Sequence, residues 1–280
     1  MTTSSNFLHN ENRLQLESLA RQLRSNIVLL SQSTRTPHIG SCLSCADILL
    51  AVCQGGLNIS PERSEDPARD RLVFSKGHCA AALCCALAQR GFFSQEKLAE
   101  VFNRNGGLQE HPNYRCIPGV ENASGSLGHG LSLGVGMALA ARIMDMPYRV
   151  CVIMGDGECN EGSIWEAAML AGARKIANLC AVVDLNGWQA TGRSREVMAL
   201  EPLSDKWRAF GWDVLEVDGH SPYDLREILR SFGSGECPLA IIARTVKGKG
   251  VSFMEDDNNW HYRIPNDEEM RRIKKELAGA

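Results

Sequence analysis

Two polar residues, each directly after an apolar run, could together hold a metal ion. Asp156 lies in the motif GDG after the run 150–154, and Asn186 follows the run 180–185. A carboxylate and an amide oxygen suit a hard cation such as Mg²⁺, which completes its shell with water and phosphate oxygens. The pair therefore predicts a phosphate-bearing ligand, which the glycines beside Asp156 would let the backbone approach closely. Both motifs could instead be ordinary turns, because Gly, Asp and Asn are the usual turn residues.

Histidines in loops form a second group that could do chemistry. Four histidines lie in segments interrupted by Gly or Pro rather than on periodic apolar faces: His38, His78, His111 and His261. Loops at strand ends often carry functional residues. Any single one could equally be a surface or helix-cap histidine, and only a pattern shared by all four would favour a site. His129 and His220 are left outside this set.

The elements that must position these residues alternate between strands and helices. Short apolar runs predict four strands, at 150–154, 180–185, 212–217 and 239–245. Periodic segments predict helices between them, at 164–177 and 221–232. This alternation predicts an α/β fold with a doubly wound, mostly parallel sheet flanked by helices. A right-handed crossover would bring Asp156 and Asn186 to the same carboxyl edge of the sheet, where ligands bind, and a helix beginning near Gly162 would direct N–H groups at an anion.

The first part of the chain is predicted to be a helical region of the same domain. Apolar residues recur with a helical period over 14–30, a second helix is predicted at 45–52, and 34–40 is the break between them. No repeat, low-complexity tract or linker interrupts the sequence. We therefore expect one domain over 1–280, with a helical N-terminal region at about 10–55.

Composition argues against several classes of function. The 280 residues carry a net charge of −3 without a long run of Lys or Arg, which disfavours nucleic-acid binding. Residues 1–25 contain no secretory signal and no apolar stretch reaches the roughly 18 residues that span a bilayer, so we expect a cytoplasmic protein without membrane contact. Most of the eleven cysteines lie in apolar, helix-like segments and are predicted to be reduced core residues. Cys42 and Cys45 have zinc-ligand spacing but lack a second pair, and KGKG at 247–250 lacks the spacing of a nucleotide-binding P-loop.

Several motifs carry a family resemblance. GDG followed about thirty residues later by Asn resembles the thiamine diphosphate fingerprint, and the continuation GECNEGSIWEAAMLAGARKIANLCAVVDLNGWQATG resembles transketolases. Further similar blocks are PHIGSCLSCADILL, RLVFSKGHCAA, EHP, GSLGHGLSLGVGMALA, DGH and ARTVKGKGVSFMEDDNNWH. Together they cover nearly the whole chain, and they imply the thiamine diphosphate-binding domain that holds the diphosphate end of the cofactor.

The resemblance implies a cofactor site. Asp156, Asn186 and the backbone carbonyl of Trp188 would ligate Mg²⁺, in whose place Ca²⁺ or Mn²⁺ would also fit. The backbone at Gly157 and Glu158 would contact the diphosphate, and the backbone at Gly125 and Leu127 would contact the aminopyrimidine. Ser41 and Lys247 are further residues expected near the cofactor, with Lys76 as a neighbour of the site.

The resemblance also assigns the four loop histidines. His38 and His111 would bind the two-carbon unit, whereas His78 and His261 would lie between the diphosphate and the substrate. Ketol transfer needs groups that bind hydroxyls, stabilise an alkoxide and transfer protons, and imidazoles do all three near neutral pH. Glu161 and Glu166 are favourable near a helix N-terminus, which alone would explain them, while in transketolases the matching acids lie near the dimer interface.

Thiamine chemistry also requires a glutamate on a pyrimidine-binding domain, which no part of the sequence resembles. The chain thus resembles the N-terminal subunit of split transketolases. We expect a partner subunit that carries that domain and its glutamate, and an assembly with two copies of each chain.

The expected function is the diphosphate-binding part of a transketolase that transfers a two-carbon ketol unit from a ketose donor to an aldose acceptor. A non-catalytic cofactor-binding or regulatory module is one alternative, and a related thiamine enzyme of the pentulose-phosphate synthase type is another. The presence of Asp156, Asn186 and all four histidines favours an enzyme. Whether the substrates carry phosphate, sulfonate or only neutral hydroxyls stays open.

Overall fold

The computed structural model describes the backbone of residues 2–279 and the side chains of residues 11–279. Its sheet contains five parallel strands: β1 (Arg71–Phe74), β2 (Val150–Gly155), β3 (Leu179–Leu185), β4 (Asp213–Asp218) and β5 (Leu239–Arg244). The strand order is β1-β2-β3-β5-β4. Strand β2 is buried along its whole length because helices cover both faces of the sheet. The predicted α/β class and doubly wound parallel sheet are confirmed.

Eleven α-helices are described, joined by short turns of helix. They are α1 (Thr2–Thr34), α2 (Ile39–Ser44), α3 (Ala46–Ala51), α4 (Ala80–Arg90), α5 (Gln95–Val101), α6 (Gly130–Ile143), α7 (Gly162–Ala173), α8 (Ser194–Val197), α9 (Leu203–Ala209), α10 (Pro222–Ser231) and α11 (Asp267–Gly279). Single 3₁₀ turns at Gly77–Cys79, Gly157–Asn160 and Asn258–His261 follow or precede loops at the carboxyl edge of the sheet.

Two hydrophobic cores lie on opposite faces of the sheet. Alternate residues of the strands supply each one: Cys151 and Ile153 face the core built with α1 to α5, α10 and α11, whereas Val152 and Met154 face the core built with α6, α7 and α9. This alternation follows from the two-residue period of a strand. The cores hold the sheet rigid, so that the loops leaving its carboxyl edge have a fixed base.

The structure corrects several predicted boundaries. The break at 34–40 is shorter than predicted because α2 already begins at Ile39, and the helix predicted at 164–177 ends at Ala173. Strand β1 was not predicted at all, since its four residues are too few for a periodic signal. Helix α1 includes the predicted segment 14–30.

Most of the cysteines lie in the core, as predicted. All eleven are free thiols, and only Cys116 and Cys237 are not buried. Burial raises the pKa of Cys53 to about 12, which keeps that thiol protonated and unreactive. No helix within residues 2–279 has both the length and the apolar character to cross a bilayer. The cytoplasmic location stays a prediction.

Candidate active site

The ends of β2 and β3 bring Asp156 and Asn186 together. Gly155 and Asp184 are register partners in the parallel pair, so the residues that follow each strand leave the sheet at the same edge. The carboxylate of Asp156 accepts hydrogen bonds from the backbone N–H of Gly187 at 3.0 Å and from the hydroxyl of Ser194 at 2.7 Å. The loop that carries Asn186 is therefore folded around the carboxylate of Asp156.

The carboxylate of Asp156 is buried without a cationic partner. Its residue is 1% exposed, and no ion pair formed among residues 11–279 includes it. Burial raises the pKa of this carboxyl group from 3.8 to about 6. A divalent cation would reverse that shift by favouring the charged form.

The other expected metal ligands fit the same cation. The amide oxygen of Asn186 accepts from the backbone N–H of Trp188 at 3.0 Å, which leaves its second lone pair for another partner. A carboxylate, an amide oxygen and a backbone carbonyl form an all-oxygen set of the kind that Mg²⁺ prefers. The residues present therefore fit the metal that the sequence resemblance implies.

Gln189 is a residue of this site that the sequence analysis missed. Its Nε2 is buried without a hydrogen-bond partner among the described residues, and a Cβ atom built on Gly157 would lie 2.9 Å from its Cγ. A buried amide donor without an acceptor is costly, and a ligand rich in oxygen atoms would supply one. No pattern in the sequence distinguishes Gln189 from an ordinary turn residue.

A buried ion pair between Lys76 and Asp184 supports the edge of the sheet from below. Asp184 also accepts hydrogen bonds from Thr245 and, at 2.6 Å, from Ser44. Burial alone would raise the pKa of Asp184, but the charge of Lys76 holds it below its usual value. Burial likewise opposes the charge of Lys76, yet Asp184 raises its pKa well above the ordinary range. Both groups therefore stay charged, and they join β3 to the loops after β1 and β5.

Three of the four predicted histidines form one cluster. The ring centroids of His38 and His261 are 4.9 Å apart, those of His38 and His78 are 5.5 Å apart, and those of His78 and His261 are 5.8 Å apart. Burial, with the nearby charge of Lys247, lowers the pKa of His261 from 6.5 to about 3, and burial with His111 lowers that of His38 to about 4. The pKa of His78 also falls well below its usual value, mainly through burial. All three imidazoles are therefore neutral at pH 7.

Lys247 fixes the tautomer of His261. Its Nζ lies 3.1 Å from Nδ1 of His261 and donates to the side chain of Asn258 at 2.6 Å. An ammonium group only donates, so Nδ1 accepts and Nε2 of His261 carries the proton. Burial and the charge of Lys76 lower the pKa of Lys247 to about 8, which leaves it mainly protonated at pH 7. Ser41 lies at the edge of this group, with its hydroxyl 3.5 Å from Nδ1 of His261.

Both groups of residues face one cavity of about 330 Å³. Among the predicted site residues, those that line it are Ser41, His78, His111, Gly125, Leu127, Asp156, Gly157, Glu158, Asn186, Trp188 and His261. His38 and Lys247 do not line the cavity, but both contact His261. His111 lies against Gly125, with 4.0 Å between its Cβ and a Cβ built on that glycine. The two sets of chemical residues recognised in the sequence therefore meet at one place.

The side chain of Glu158 braces three loops of the site. Its carboxylate accepts from Ser75 and from the backbone N–H groups of Gly128 at 2.9 Å and Gly155 at 3.2 Å. Burial raises the pKa of this carboxyl group. The segment that carries Gly125 and Leu127 is thereby tied to the end of β2. Glu161 lines the same cavity, whereas Glu166 lies on the exposed side of α7.

Neither of the two histidines left outside the set lines this cavity. His129 is exposed and its Nδ1 lies 3.0 Å from the carbonyl oxygen of Leu127. His220 contacts the carboxylate of Asp47 through Nδ1 at 2.8 Å and accepts from the backbone N–H of Val246 through Nε2 at 2.8 Å. It therefore holds the turn that carries Lys247 and acts on the site through the backbone.

An oxygen-lined cation pocket and neutral imidazoles, at the carboxyl edge of a doubly wound sheet, define a cofactor-binding α/β domain of the kind that holds a diphosphate through a metal. Within that class the chain belongs to the transketolase family. The family described as "Transketolase, thiamine diphosphate binding domain" matches residues 16–279, which confirms the resemblance noted in the sequence. Relatives that are transketolases place the chain in a family of transferases.

The chain is similar to proteins of two lengths. It is 40% identical to one subunit of the apulose-4-phosphate transketolase of Phocaeicola vulgatus, over 95% of both chains, and 44% identical to a 6-deoxy-6-sulfo-D-fructose transketolase subunit of a Clostridium species, over 78% of this chain and 80% of that one. It is 34% identical to human transketolase but spans only 39% of it. The transketolase structure of Campylobacter jejuni superposes with a TM-score of 0.87 at 28% identity, over 94% of this chain and 42% of that one.

Proposed function

We propose that this chain is the diphosphate-binding subunit of a two-chain transketolase that depends on thiamine diphosphate and Mg²⁺. The observation that carries the proposal is the single cavity with an oxygen-lined cation pocket at one end and neutral imidazoles at the other. Similarity over 95% of both chains to a relative that is itself named as one transketolase subunit supports a division of the enzyme between two polypeptides. The partner would carry the pyrimidine-binding domain and the glutamate that activates the cofactor.

The residues of this chain would divide the work between the two ends of the cavity. Asp156, Asn186 and the carbonyl of Trp188 would hold Mg²⁺, with the backbone at Gly157 and Glu158 beside the diphosphate. Thiamine diphosphate, when bound, would supply the nucleophilic carbon that ketol transfer requires. The walls of the cavity would exclude water from the reacting carbons.

The imidazoles would orient the substrate. His38 and His111 would bind the hydroxyls of the two-carbon unit, and the proton on Nε2 of His261 is available for an oxygen atom that becomes negative during the reaction. His78 would lie between the diphosphate and the sugar. Because these rings are neutral at pH 7, each can donate one hydrogen bond and accept another, and either role suits a hydroxyl group.

Assembly is supported by apolar side chains near the cavity. Leu127, Leu133, Met169 and Leu170 are between 38 and 54% exposed on α6, α7 and the loop before α6. Exposed apolar groups in this number favour a protein interface. We propose that they are covered in an assembly with two copies of each chain.

The names of two relatives suggest the class of substrate. Apulose-4-phosphate carries a phosphate and 6-deoxy-6-sulfo-D-fructose carries a sulfonate, so we propose a ketose donor with an anionic group at its far end. The groups that recognise that end would lie largely on the partner chain.

Reconstitution tests the proposal directly. The chain, its partner, Mg²⁺ and thiamine diphosphate would be mixed and screened with phosphorylated, sulfonated and neutral ketoses against a set of aldose acceptors. We expect ketol transfer with an anionic donor only when both chains are present, together with an increase in mass by light scattering. Robust turnover by this chain alone would contradict the two-chain proposal, and failure of the complex to bind thiamine diphosphate would contradict the function.

A further inference from the structure

The loop between β3 and α8 carries three residues of the cofactor end. We call residues 186–193 the metal loop, since it includes Asn186, Trp188 and Gln189. It closes on itself as a short hairpin, in which the N–H of Gln189 donates to the carbonyl of Gly192 at 2.8 Å and Trp188 forms an isolated bridge with Arg193. Such a hairpin has few contacts of its own, so its orientation depends on neighbouring segments.

One neighbouring segment fixes the hairpin through Asp256. One carboxylate oxygen accepts from the indole N–H of Trp188 at 2.8 Å, and the two oxygens accept from the two terminal nitrogens of Arg193, each at 2.6 Å. The guanidinium of Arg193 lies 3.8 Å from the centre of the Trp188 ring. A bidentate pair stacked on an indole fixes both direction and distance, unlike a single flexible ion pair.

The same segment reaches the imidazole end of the cavity. The backbone N–H of Asp256 donates to the carbonyl of Lys247 at 2.8 Å. Two residues later the amide of Asn258 donates to the carbonyl of Ala190 in the metal loop at 3.1 Å and accepts from Nζ of Lys247 at 2.6 Å. Asp256 itself has a φ of +58°, in the left-handed region that Asp tolerates better than most residues. The backbone thus turns at the residue whose side chain holds the metal loop.

We propose that Asp256 and Arg193 form a clamp that positions the metal loop, and that the affinity of the site for Mg²⁺ depends on it. The clamp residues touch neither metal nor substrate. They act through the backbone at Trp188 and through Gln189, and they link the metal loop to the turn of Lys247. The inference deepens the proposed function and rests on it, because Mg²⁺ and thiamine diphosphate are the ligands in question.

The test uses the chain assembled with its partner. Calorimetric titration with Mg²⁺ at saturating thiamine diphosphate would compare the parent with Asp256→Ala, Asp256→Asn and Arg193→Lys. Removal of residues that orient metal ligands lowers metal affinity about 10-fold to 100-fold, and we expect Asp256→Ala to fall in that range. Arg193→Lys keeps the charge but loses the fork and the flat stack, so we expect a smaller loss, in the range of a few fold.

A matched control separates positioning from general stability. Asp205 forms an exposed pair with Arg208 at 2.8 Å on α9, away from the metal loop, so Asp205→Ala removes a similar ion pair. We expect its Mg²⁺ affinity to equal that of the parent, and we expect Asp256→Ala and Asp205→Ala to unfold at similar temperatures without cofactor. In the double variant Asp256→Ala with Arg193→Ala, the loss should not exceed that of Asp256→Ala by more than about twofold, because residues that act as a unit are not additive.

The outcomes distinguish the two proposals. If the parent binds Mg²⁺ and all three single variants match it within twofold, the clamp proposal is wrong while the proposed function stands. If the parent complex binds no thiamine diphosphate in the presence of Mg²⁺, both are wrong. If Asp256→Ala loses affinity only in proportion to a lowered unfolding temperature that Asp256→Asn shares, the role of Asp256 is structural and the clamp proposal is wrong.

Discussion

The two ends of the cavity bury polar side chains in opposite ways. At the metal end, Asp156 is buried without a cationic partner, and burial raises its pKa to about 6. At the other end, His38 and His261 are buried as neutral rings, with pKa values lowered to about 4 and about 3. The first arrangement costs stability until a cation binds, whereas the second costs little at neutral pH. The difference indicates that metal binding, rather than substrate binding, would stabilise the protein most.

Removal of the buried carboxylate should have the largest effect. Asp156→Ala eliminates the only charged ligand of the proposed metal set, and we expect the affinity for thiamine diphosphate with Mg²⁺ to fall more than about 100-fold, beyond the range for residues that only orient ligands. The free energy of unfolding without cofactor should not decrease at pH 7, since a costly buried charge is lost as well. Calorimetry and urea unfolding on the same variant would measure both quantities.

The control for this variant is Asp213→Ala, which removes an exposed acid at the amino end of β4. It should leave cofactor affinity unchanged. An unchanged affinity in Asp156→Ala would remove the metal end from the comparison altogether.

A substitution at the imidazole end should have a smaller and different effect. His111→Ala removes a contact expected on the substrate side, and loss of one hydrogen bond to the reacting sugar, about 1.4 kcal/mol, lowers turnover about tenfold. Cofactor affinity should stay within twofold of the parent, because no predicted metal or diphosphate contact is removed. Steady-state kinetics of the reconstituted enzyme would measure the first quantity and calorimetry the second.

His129→Ala provides the matched control, since that imidazole is exposed and does not line the cavity. Its turnover should equal that of the parent. A rate for His111→Ala within twofold of the parent would place His111 outside the substrate site.

The smallest effect concerns pH, and its sign differs between the two ends. His38 and His261 have folded pKa values below 6.5, so the unfolded chain binds more protons and their contribution to stability is lost as pH falls from 6.5 toward 4. Asp156 has a folded pKa above 3.8, so its contribution is lost as pH rises from 3.8 through 6. Without cofactor, Asp156→Ala should therefore lose more stability on acidification than the parent, and His38→Asn should lose less.

Urea unfolding at pH 7 and pH 5 would measure this difference. Equal pH dependence in the parent and both variants would show that the two ends do not differ in the way described. The effect is limited because the histidine cluster is only partly shielded from solvent, which weakens each shift.

The two ends also differ in how far the sequence predicted them. Asp156 and Asn186 were recognisable because they come directly after apolar runs, and parallel strands bring the residues beyond their carboxyl ends to one edge of the sheet. The histidines required convergence of loops far apart in the chain, and only the family resemblance grouped them. Their placement around one cavity is now described, while their catalytic roles stay predictions.

Residues that support the site were the least predictable. Asp184 lies inside an apolar strand and gains its meaning from Lys76, more than a hundred positions away. Asp256, Arg193 and Gln189 lie in turns whose polar composition is typical of any surface loop. Hydrogen bonds between distant loops leave no period in a sequence, which is why neither the clamp nor the brace by Glu158 was expected.

The position of Trp188 gives the protein a natural optical reporter. Trp207, Trp212 and Trp260 are no more than 3% exposed, and Trp165 packs against Trp207 and Phe210, so four of the five indoles report on packed interior. Trp188 alone lines the cavity, with a guanidinium on its face and a carboxylate on its nitrogen. Since indole emission depends on the charges within contact distance, a fluorescence change on filling the cavity originates mainly from this one residue. Ligand entry can thus be followed in real time without any attached dye.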